Sequence, residues 1–373
     1  MSLSTLRVSE PRELLALIPH QLGFRPAHSV VAVSLRPPRG QVGLVIRVDL
    51  ADLAERADGP RLARALVSHL DRDGADRCVL VLYTGTDPRS GSEPAVAPAV
   101  EHFREAAAAP FGEVPVWVVT DRGYLALDCA DPCCPVGGRP LAELDATQVG
   151  AQMVLAGSAV AGSRDDVARI RSAGAEARKA VARVRRRWVA RRTAATSDSA
   201  LERWRLDSVR AWRRAVAEAG DSTVRIGGSA LGRLEAGLAD PRVRDAVLVA
   251  LVPGTGSLPE RSVTGARTSA EADAGLADAL ALVVDPSLGV RPPSGATRIH
   301  ERALERVVAH GDRAHQEPSL TLLALLAWWR GDGARAQLLL ARAFESDPAY
   351  RLAHLIDDAV AQGVPPGWVR AEA

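Results

Sequence analysis

Over the first 160 residues or so, apolar runs of strand length alternate with segments in which apolar residues recur at helical spacing. Residues 29–35, 42–49, 78–83 and 114–120 are predicted strands, and residues 11–18, 61–70 and 95–109 are predicted helices. The turn at residues 36–40 predicts a hairpin of the first two strands, and residues 124–127 are expected to pair with the fourth. Strands separated by helices favour a mixed α/β sheet with flanking helices and right-handed crossovers.

After Gly162 the strand signal stops, and the pattern is helical. Helices are predicted at 165–192, 199–219, 229–238 and 243–251, with four or five more from residue 297 onward, while residues 253–259 and 291–295 indicate loops or linkers. We therefore expect an α/β domain with a Cys-rich loop over residues 1–160, a helical segment with basic long helices over 163–252, and a C-terminal helical hairpin region over 296–373.

The C-terminal hairpin is predicted from residues 322–336, which run into 337–344 and end at Asp347-Pro348. Two helices joined by a Gly-containing turn, with small residues at Ala336 and Ala343, are similar to a tetratricopeptide-like unit, and residues 349–361 are a candidate capping helix. Because one copy is visible, a long solenoid is not indicated. Such hairpins serve packing or protein contacts.

Composition excludes two classes of protein. No apolar stretch reaches the roughly 20 residues that a bilayer requires, and the short apolar run at 14–18 has Glu13 before it and Pro19 after it, without a signal-peptide cleavage site. Four cysteines in 373 residues do not make a disulfide scaffold. We expect a cytoplasmic protein with reduced thiols and no membrane contact.

Three of the four cysteines, Cys129, Cys133 and Cys134, fall within six positions of one another. They are candidate metal ligands, and zinc is the candidate ion, although tetrahedral zinc needs a fourth ligand from Asp128, Asp131 or a distant histidine. Closely spaced thiols also suit a reversible disulfide. The third interpretation is a proline-stiffened loop whose thiols pack into the domain surface. The fourth cysteine, Cys78, lies in an apolar strand and is predicted to be a core residue.

Charge is nearly balanced overall, with 47 Lys+Arg against 45 Asp+Glu, yet residues 164–214 carry 16 basic and 6 acidic side chains. The basic cluster gives candidate nucleic-acid contacts at Arg178, Lys179, Arg183, Arg185, Arg186 and Arg187, with Trp188, Trp204 and Trp212 nearby to stack bases. The alternative is a solvated helix pair whose tryptophans face its own core, since Val181, Val184 and Trp188 form a stripe at helical spacing. A single lysine and no asparagine indicate a GC-rich genome, which itself enriches arginine.

Familiar catalytic motifs are missing from the sequence: there is no GxxxxGK[ST], GxSxG or HExxH, and no GxGxxG after a strand. His20 and His28 flank a turn before the first strand and are candidate acid/base groups, although exposed histidines are common without such a role. Gly227-Gly228-Ser229 precedes a helix, where capping explains it as well as anion binding does.

Three blocks of the chain resemble one known family. The first covers residues 14–19, 22–26 and 29–33, the second is the loop at 129–141, and the third runs from 325 to 350. In this order they are similar to the actinobacterial domain-of-unknown-function family 4192. His28 stands where the family pattern has an acidic residue, and Gly123-Tyr124 where it has a tryptophan. The resemblance implies a cytoplasmic actinobacterial protein and supplies no activity, cofactor or partner.

Taken together, the sequence favours a non-catalytic interaction or regulatory protein, in which a helical half contacts a protein partner. The first alternative is a metal- or redox-dependent protein or enzyme that uses the Cys129, Cys133 and Cys134 loop. The second alternative is a nucleic-acid-binding protein that uses the basic helix at 178–192. The sequence leaves open whether the protein is an enzyme, although the missing motifs favour a binding protein.

Overall fold

The computed structural model describes residues 10–38, 40–155, 158, 160–221, 223, 226–265 and 270–371. Within these ranges six strands form one sheet with the order β2-β1-β3-β4-β5-β6. The strands are β1 Ser29–Arg36, β2 Gln41–Asp49, β3 Arg77–Tyr83, β4 Val116–Val119, β5 Gly123–Ala126 and β6 Arg139–Pro140. The chain divides into two compact units, one ending at Val167 and the other beginning at Ala168.

The sheet is mixed, as the alternation of strands and helices predicts. β1 pairs antiparallel with both β2 and β3, β3 pairs parallel with β4, and β4 pairs antiparallel with β5. The predicted hairpin of β1 and β2 and the predicted partner of β4 are thereby confirmed. Both β1 and β3 lie inside the sheet and are covered on both faces, which is why their sequences are continuous apolar runs rather than alternating ones.

Helices α1–α7 belong to the first unit. They are α1 Pro11–Leu22, α2 Leu50–Ala54, α3 Gly59–Arg72, α4 Val96–Phe111, α5 Ala142–Asp145, α6 Gln148–Leu155 and α7 Arg164–Val167. Because side chains alternate across a strand, Leu80 and Leu82 of β3 pack with the core of α2, α3 and α4, whereas Val81 and Tyr83 face the opposite side of the sheet.

The regular elements of the second unit, within its described residues, are all helices. Its helices are α8 Ala175–Ala194, α9 Asp198–Gly220, α10 Gly228–Leu238, α11 Pro241–Leu251, α12 Leu258–Arg261, α13 Ala270–Val284, α14 Ser294–His310, α15 Glu317–Trp329, α16 Gly333–Ser346, α17 Arg351–Ala361 and α18 Gly367–Ala371. Helix α15 is buried from Pro318 to Trp329, so it is the centre of this unit's core. That position explains why its sequence is apolar all round. An α/β unit followed by a helical one is the fold class that the sequence predicts.

One predicted helix is wrong in its extent. The stretch 165–192 is not continuous, because α7 ends at Val167 and α8 begins at Ala175. Between them, the amide of Ala173 donates to the carbonyl of Ala309 at 2.8 Å, and Gly174 is extended. The backbone here bonds to α14 instead of to its own preceding turn, and a periodicity count along one segment does not contain that tertiary contact.

No described helix is long and apolar enough to cross a membrane.

Candidate functional site

The candidate site in the first unit is a cleft of about 590 Å³ at the carboxyl ends of β3 and β4. Tyr83 and Thr84 lie on its wall at the end of β3, and Val119 and Asp121 at the end of β4. These two strands form the parallel pair of the sheet. The edge beyond the carboxyl ends of parallel strands is where open α/β sheets bind their ligands. Its volume lies in the range of small-molecule pockets.

Helix α1 supplies the second wall, and the chain around it is held firmly. The helix ends at Gly23 in the left-handed conformation (φ 76°), which turns the backbone so that Gly23 and Arg25 both bond to Ala161. The buried carboxylate of Glu13 accepts hydrogen bonds from the amides of Gln148 and Val149. An acid that is 8% exposed therefore caps α6 and fixes it beside α1.

Tyr83 is the unusual group in the wall of the cleft. Its side chain is 6% exposed, and its hydroxyl is buried with no hydrogen-bond partner among the described residues. Burial raises the pKa of this phenol, so the hydroxyl keeps its proton at neutral pH. Buried polar groups are nearly always hydrogen-bonded. Tyr83, a residue of the cleft wall, therefore carries a buried donor and acceptor that no described residue uses.

Two histidines that the sequence marks as candidates both line the cleft. Nδ1 of His20 lies 3.0 Å from Oγ of Ser158, and burial followed by the charge of Arg25 lowers the pKa of His20, which keeps the ring neutral at pH 7. His28 is exposed and has φ 47°, a left-handed conformation for a residue with a Cβ. Such strain occurs at functional sites more often than elsewhere.

Charged groups stand only at the rim. Arg25 and Asp145 lie 3.8 Å apart with side chains that are 70% and 71% exposed, and Asp121 is exposed. The N-terminus of α6 offers no free donors to an anion, because Glu13 and the hydroxyl of Thr147 already bond its first amides. Among the described residues of the cleft, the end of α6 therefore does not form the cradle of backbone amides that binds phosphate in many α/β proteins.

The Cys-rich loop lies outside the lining of the cleft, and it brings its three thiols together. The Sγ atoms of Cys129, Cys133 and Cys134 all lie within 4.8 Å of one another, and those of Cys129 and Cys133 are 3.5 Å apart. Cys134 is buried, Cys129 is half-buried and Cys133 is exposed. Two left-handed glycines follow the loop. A Cβ at the second, Gly138, would lie 2.8 Å from the backbone of Tyr124, so only glycine fits there.

Arg89 holds the loop from one side. Its guanidinium donates to the carbonyls of Cys129, Cys134 and Pro135 at 2.9–3.1 Å. Asp87 accepts from both ends of the same guanidinium, and it also accepts from the amide of Gly137 at 3.2 Å. One ion pair thus orders the backbone on which all three thiols stand.

The thiols differ in acidity. The amide of Asp131 donates to the sulfur of Cys129 and, together with the Cys133 thiol, lowers the pKa of Cys129. The same contact with Cys129 raises the pKa of Cys133 to about 11. Burial raises the pKa of Cys78 to about 12, which agrees with its predicted place in the core of the sheet. Of Cys129 and Cys133, Cys129 is the one whose ionised form the surroundings favour.

The basic helix is α8, and the structure separates its charges into two groups. Arg185 pairs with Glu235 at 3.7 Å and Lys179 with Glu176 at 3.0 Å. Four arginines are exposed, and their side chains have no ion pair or hydrogen bond among the described residues: Arg178, Arg183, Arg186 and Arg187. These four are the free cations of the predicted nucleic-acid surface.

The tryptophans near α8 do not share that surface. Trp188 and Trp204 stack at 6.1 Å, their side chains are 4% and 6% exposed, and Trp188 donates to Ser208 at 2.9 Å. Trp212 is 1% exposed in the main core of the helical unit. All three rings are used in packing, as the stripe of Val181, Val184 and Trp188 predicts. No ring of this set is therefore free to stack on a base.

Sequence reasoning finds the Cys loop and the two histidines, but not the cleft that the histidines line. Tyr83 reads as the last residue of an apolar strand, and Ser158 and Asp145 lie in segments without a motif. The one usable signal is topological. Two buried strands, 78–83 and 114–120, are joined by a helix and are therefore expected to be parallel, with an edge at their carboxyl ends.

The fold and the cleft define a two-unit protein: a mixed-sheet α/β unit with a small-molecule-sized cleft at the ends of its parallel strands, followed by a helical unit. A family model described as "Domain of unknown function (DUF4192)" matches residues 11–367, which span both units. The chain belongs to that family, and the resemblance noted from its three sequence blocks is confirmed. No curated protein and no solved structure matches the chain.

Proposed function

We propose that the protein is a non-catalytic regulatory protein whose α/β unit binds an uncharged polar organic molecule in the cleft, of the size of a nucleoside or a disaccharide. The observation that carries the proposal is the buried Tyr83 hydroxyl, which has no partner among the described residues of the cleft wall. An unsatisfied buried hydroxyl costs roughly 1–3 kcal/mol. A ligand oxygen or nitrogen that bonds to it recovers that free energy, and because the hydroxyl oxygen is buried, this bond requires a small movement of the wall.

The chemistry of the wall supports an uncharged ligand. Apolar side chains from α1, such as Leu15 and Pro19, alternate with neutral polar groups such as His20 and Tyr83. The charged groups are at the rim, where Arg25 and Asp145 already face each other. The described residues of the cleft provide no cluster of cations and no free helix-terminal amides that could bind a phosphate. Hydroxyls and ring nitrogens on an uncharged molecule suit these partners.

Binding rather than catalysis is supported by how His20 is held. Its contact with Ser158 has the length of a nucleophile–base hydrogen bond. In such pairs a third group orients the base, but no described carboxylate bonds to the imidazole of His20. We therefore assign Ser158 and His20 as hydrogen-bonding groups for the ligand. Labelling of Ser158 by a fluorophosphonate probe, lost in Ser158→Ala, would contradict this assignment.

A thermal-shift screen of the full chain tests the proposal. We expect at least one member of a panel of nucleosides and disaccharides to raise the melting temperature of the wild type, and Tyr83→Phe to abolish or reduce that shift. Tyr124→Phe is the matched control, because Tyr124 is buried in the same sheet and its hydroxyl bonds to Glu143. A larger shift with nucleoside monophosphates than with nucleosides would contradict the uncharged ligand. No shift with any compound would refute the proposal.

The regulatory part of the proposal concerns the helical unit, which we propose contacts a protein partner in the cytoplasm. It is supported by the absence of familiar catalytic motifs from the sequence and by the helical hairpin at 322–344 that the sequence marks as repeat-like. Affinity capture with the full chain, with and without the compound that shifts its melting temperature, is the test. A regulatory protein requires the recovered partner to change with the compound.

A further inference from the structure

We propose that Cys129, Cys133 and Cys134 bind one zinc ion, with the carboxylate of Asp131 in the fourth position. The site lies in the α/β unit and shares no residue with the lining of the cleft. The proposal is therefore independent of the ligand that the cleft takes.

The positions of the sulfur atoms carry the proposal. Zinc–sulfur bonds of about 2.3 Å in a tetrahedron place the sulfurs about 3.8 Å apart. The Cys129 and Cys133 sulfurs are 3.5 Å apart, and all three sulfurs lie within 4.8 Å of one another. Shifts of about 1 Å or less, within the reach of a side-chain rotation, therefore bring the three sulfurs to zinc distance.

Two backbone amides also donate to sulfurs of this cluster. The amide of Asp131 donates to the sulfur of Cys129, and the amide of Ala126 donates to that of Cys134 at 3.5 Å.

Arg89 and Asp87 serve as positioning residues for this site. The guanidinium donates to the carbonyls of Cys129 and Cys134, the first and last of the three proposed cysteine ligands. It therefore holds the two ends of the loop together. Asp87 prevents the guanidinium from rotating. Groups that orient metal ligands in this way typically contribute 10- to 100-fold to metal affinity.

The fourth ligand is argued from distance and from what the two neighbouring acids already do. Oδ2 of Asp131 lies 4.0 Å from the sulfur of Cys129. Asp128, the other acid of the loop, forms an ion pair with Arg104. No described histidine lies with the three sulfurs. Asp131 is therefore the protein ligand available, and exposed Cys133 leaves the ion accessible to water.

Zinc is the ion that this donor set fits. Thiolates favour soft and borderline ions, and three thiolates with one oxygen give the four-coordinate geometry that zinc adopts. An iron–sulfur cluster usually takes four protein ligands, mostly cysteines. Calcium and magnesium bind oxygen atoms and do not suit a site of three sulfurs.

Metal analysis of the full chain tests the site. Purified under reducing conditions and dialysed with zinc, the wild type should retain about one zinc per chain, and Cys133→Ser and Cys134→Ser should lose it. Cys78→Ala is the control, because it removes a thiol that the proposal does not use and should retain zinc. Titration with Co²⁺ should give a thiolate-to-cobalt charge-transfer band in the wild type and in Cys78→Ala, and none in Cys133→Ser.

A disulfide is the competing outcome, since Cys129 and Cys133 are neighbours. If the wild type holds no zinc, gives no cobalt band and loses two titratable thiols on mild oxidation, the loop is a redox pair and the zinc site is refuted. If zinc is absent and the three thiols resist oxidation, the site is also refuted. Circular dichroism of the Cys→Ser variants is the control for folding. A spectrum equal to that of the wild type shows that a variant without zinc has lost the metal site and not the fold.

The fourth ligand and the positioning residue have matched tests of their own. Asp131→Asn should weaken zinc binding by at least about tenfold, measured by competition with a chromogenic chelator, whereas Asp128→Asn should leave it unchanged. Arg89→Gln should weaken it about 10- to 100-fold, against no change for Arg104→Gln. Equal effects of the two Asp variants would remove Asp131 from the site.

Discussion

Removal of the Tyr83 hydroxyl should stabilise the protein, whereas most substitutions of buried residues lower the free energy of unfolding. The phenol is 6% exposed, and its oxygen has no partner among the described residues. Leaving such a group unsatisfied costs roughly 1–3 kcal/mol, whereas Phe fills the same space without the cost. We expect Tyr83→Phe to raise the free energy of unfolding by about 1–2 kcal/mol. For a unit of this size that is an increase of about 2–8 °C in melting temperature.

Tyr124→Phe gives the comparison with the opposite sign. Tyr124 is 1% exposed, and its hydroxyl donates to Oε2 of Glu143 at 2.7 Å. That bond lowers the pKa of Glu143 and is lost in the variant. We expect a destabilisation of about 1 kcal/mol. Both variants lose one oxygen from a buried tyrosine of the same sheet, so only the partner of the hydroxyl differs.

Differential scanning calorimetry of the two variants and the wild type, without any added compound, is the assay. A lower or unchanged melting temperature for Tyr83→Phe would refute the reasoning, because it would show that the hydroxyl is satisfied in solution. The hydroxyl would then need no ligand group as its partner. A higher melting temperature combined with weaker ligand binding would show that the hydroxyl is kept at a cost to stability.

Three further predictions follow from other parts of the molecule. Burial, and then the charge of Arg213, lowers the pKa of His300 to about 4. In the unfolded chain His300 becomes protonated near pH 6.5. The stability that comes from burying neutral His300 is therefore lost as the pH falls from 6.5 towards 4. Between pH 7.5 and pH 5, urea unfolding of the wild type should lose about 2 kcal/mol that His300→Phe does not lose. If the loop binds zinc, free zinc at 100 times its Kd should stabilise the wild type by about 2.7 kcal/mol in calorimetry, and no change would contradict the site. Any binding of duplex DNA to α8 should use the four free arginines, with a log–log salt slope no steeper than about −3.6 and most of the affinity lost in Arg183→Ala/Arg186→Ala/Arg187→Ala. An equal loss in Arg185→Ala would place the contact elsewhere.

Much of the α/β unit is predictable because the pattern of apolar residues within each strand reflects how that strand is buried. The run at 78–83 is apolar at almost every position, so it must be covered on both faces, and it lies in the interior of the sheet as β3. The turn at 36–40 joins the two strands that pair as β1 and β2. Local patterns succeed where the burial of a segment and its neighbour in sequence decide its structure.

The break between α7 and α8 shows where such patterns fail. Residues 168–174 contain no proline and only one glycine, so nothing local ends a helix there. The amide of Ala173 bonds instead to Ala309, 136 positions later in the chain. A contact of that sequence separation is a property of the folded unit.

The candidate sites divide in the same way. The three loop cysteines are recognisable because metal-ligating residues cluster in sequence when one short loop holds them. The cleft is not recognisable, because its walls come from α1, from the ends of β3 and β4, and from Ser158, Val160 and Gly162. His20 and Ser158 lie 138 positions apart, and the backbone bonds of Ala161 to Gly23 and Arg25 hold this later part of the chain beside the end of α1.

The most direct test of the central claim is calorimetric titration of the full chain with the panel compound that stabilises it most. Ala27 is exposed and lines the cleft, so Ala27→Trp should fill the cleft while leaving the core intact. We predict one compound bound per wild-type chain and an affinity at least about tenfold weaker in Ala27→Trp, equivalent to about 1.4 kcal/mol. Equal affinity in the two proteins would place the compound outside the cleft and contradict the account.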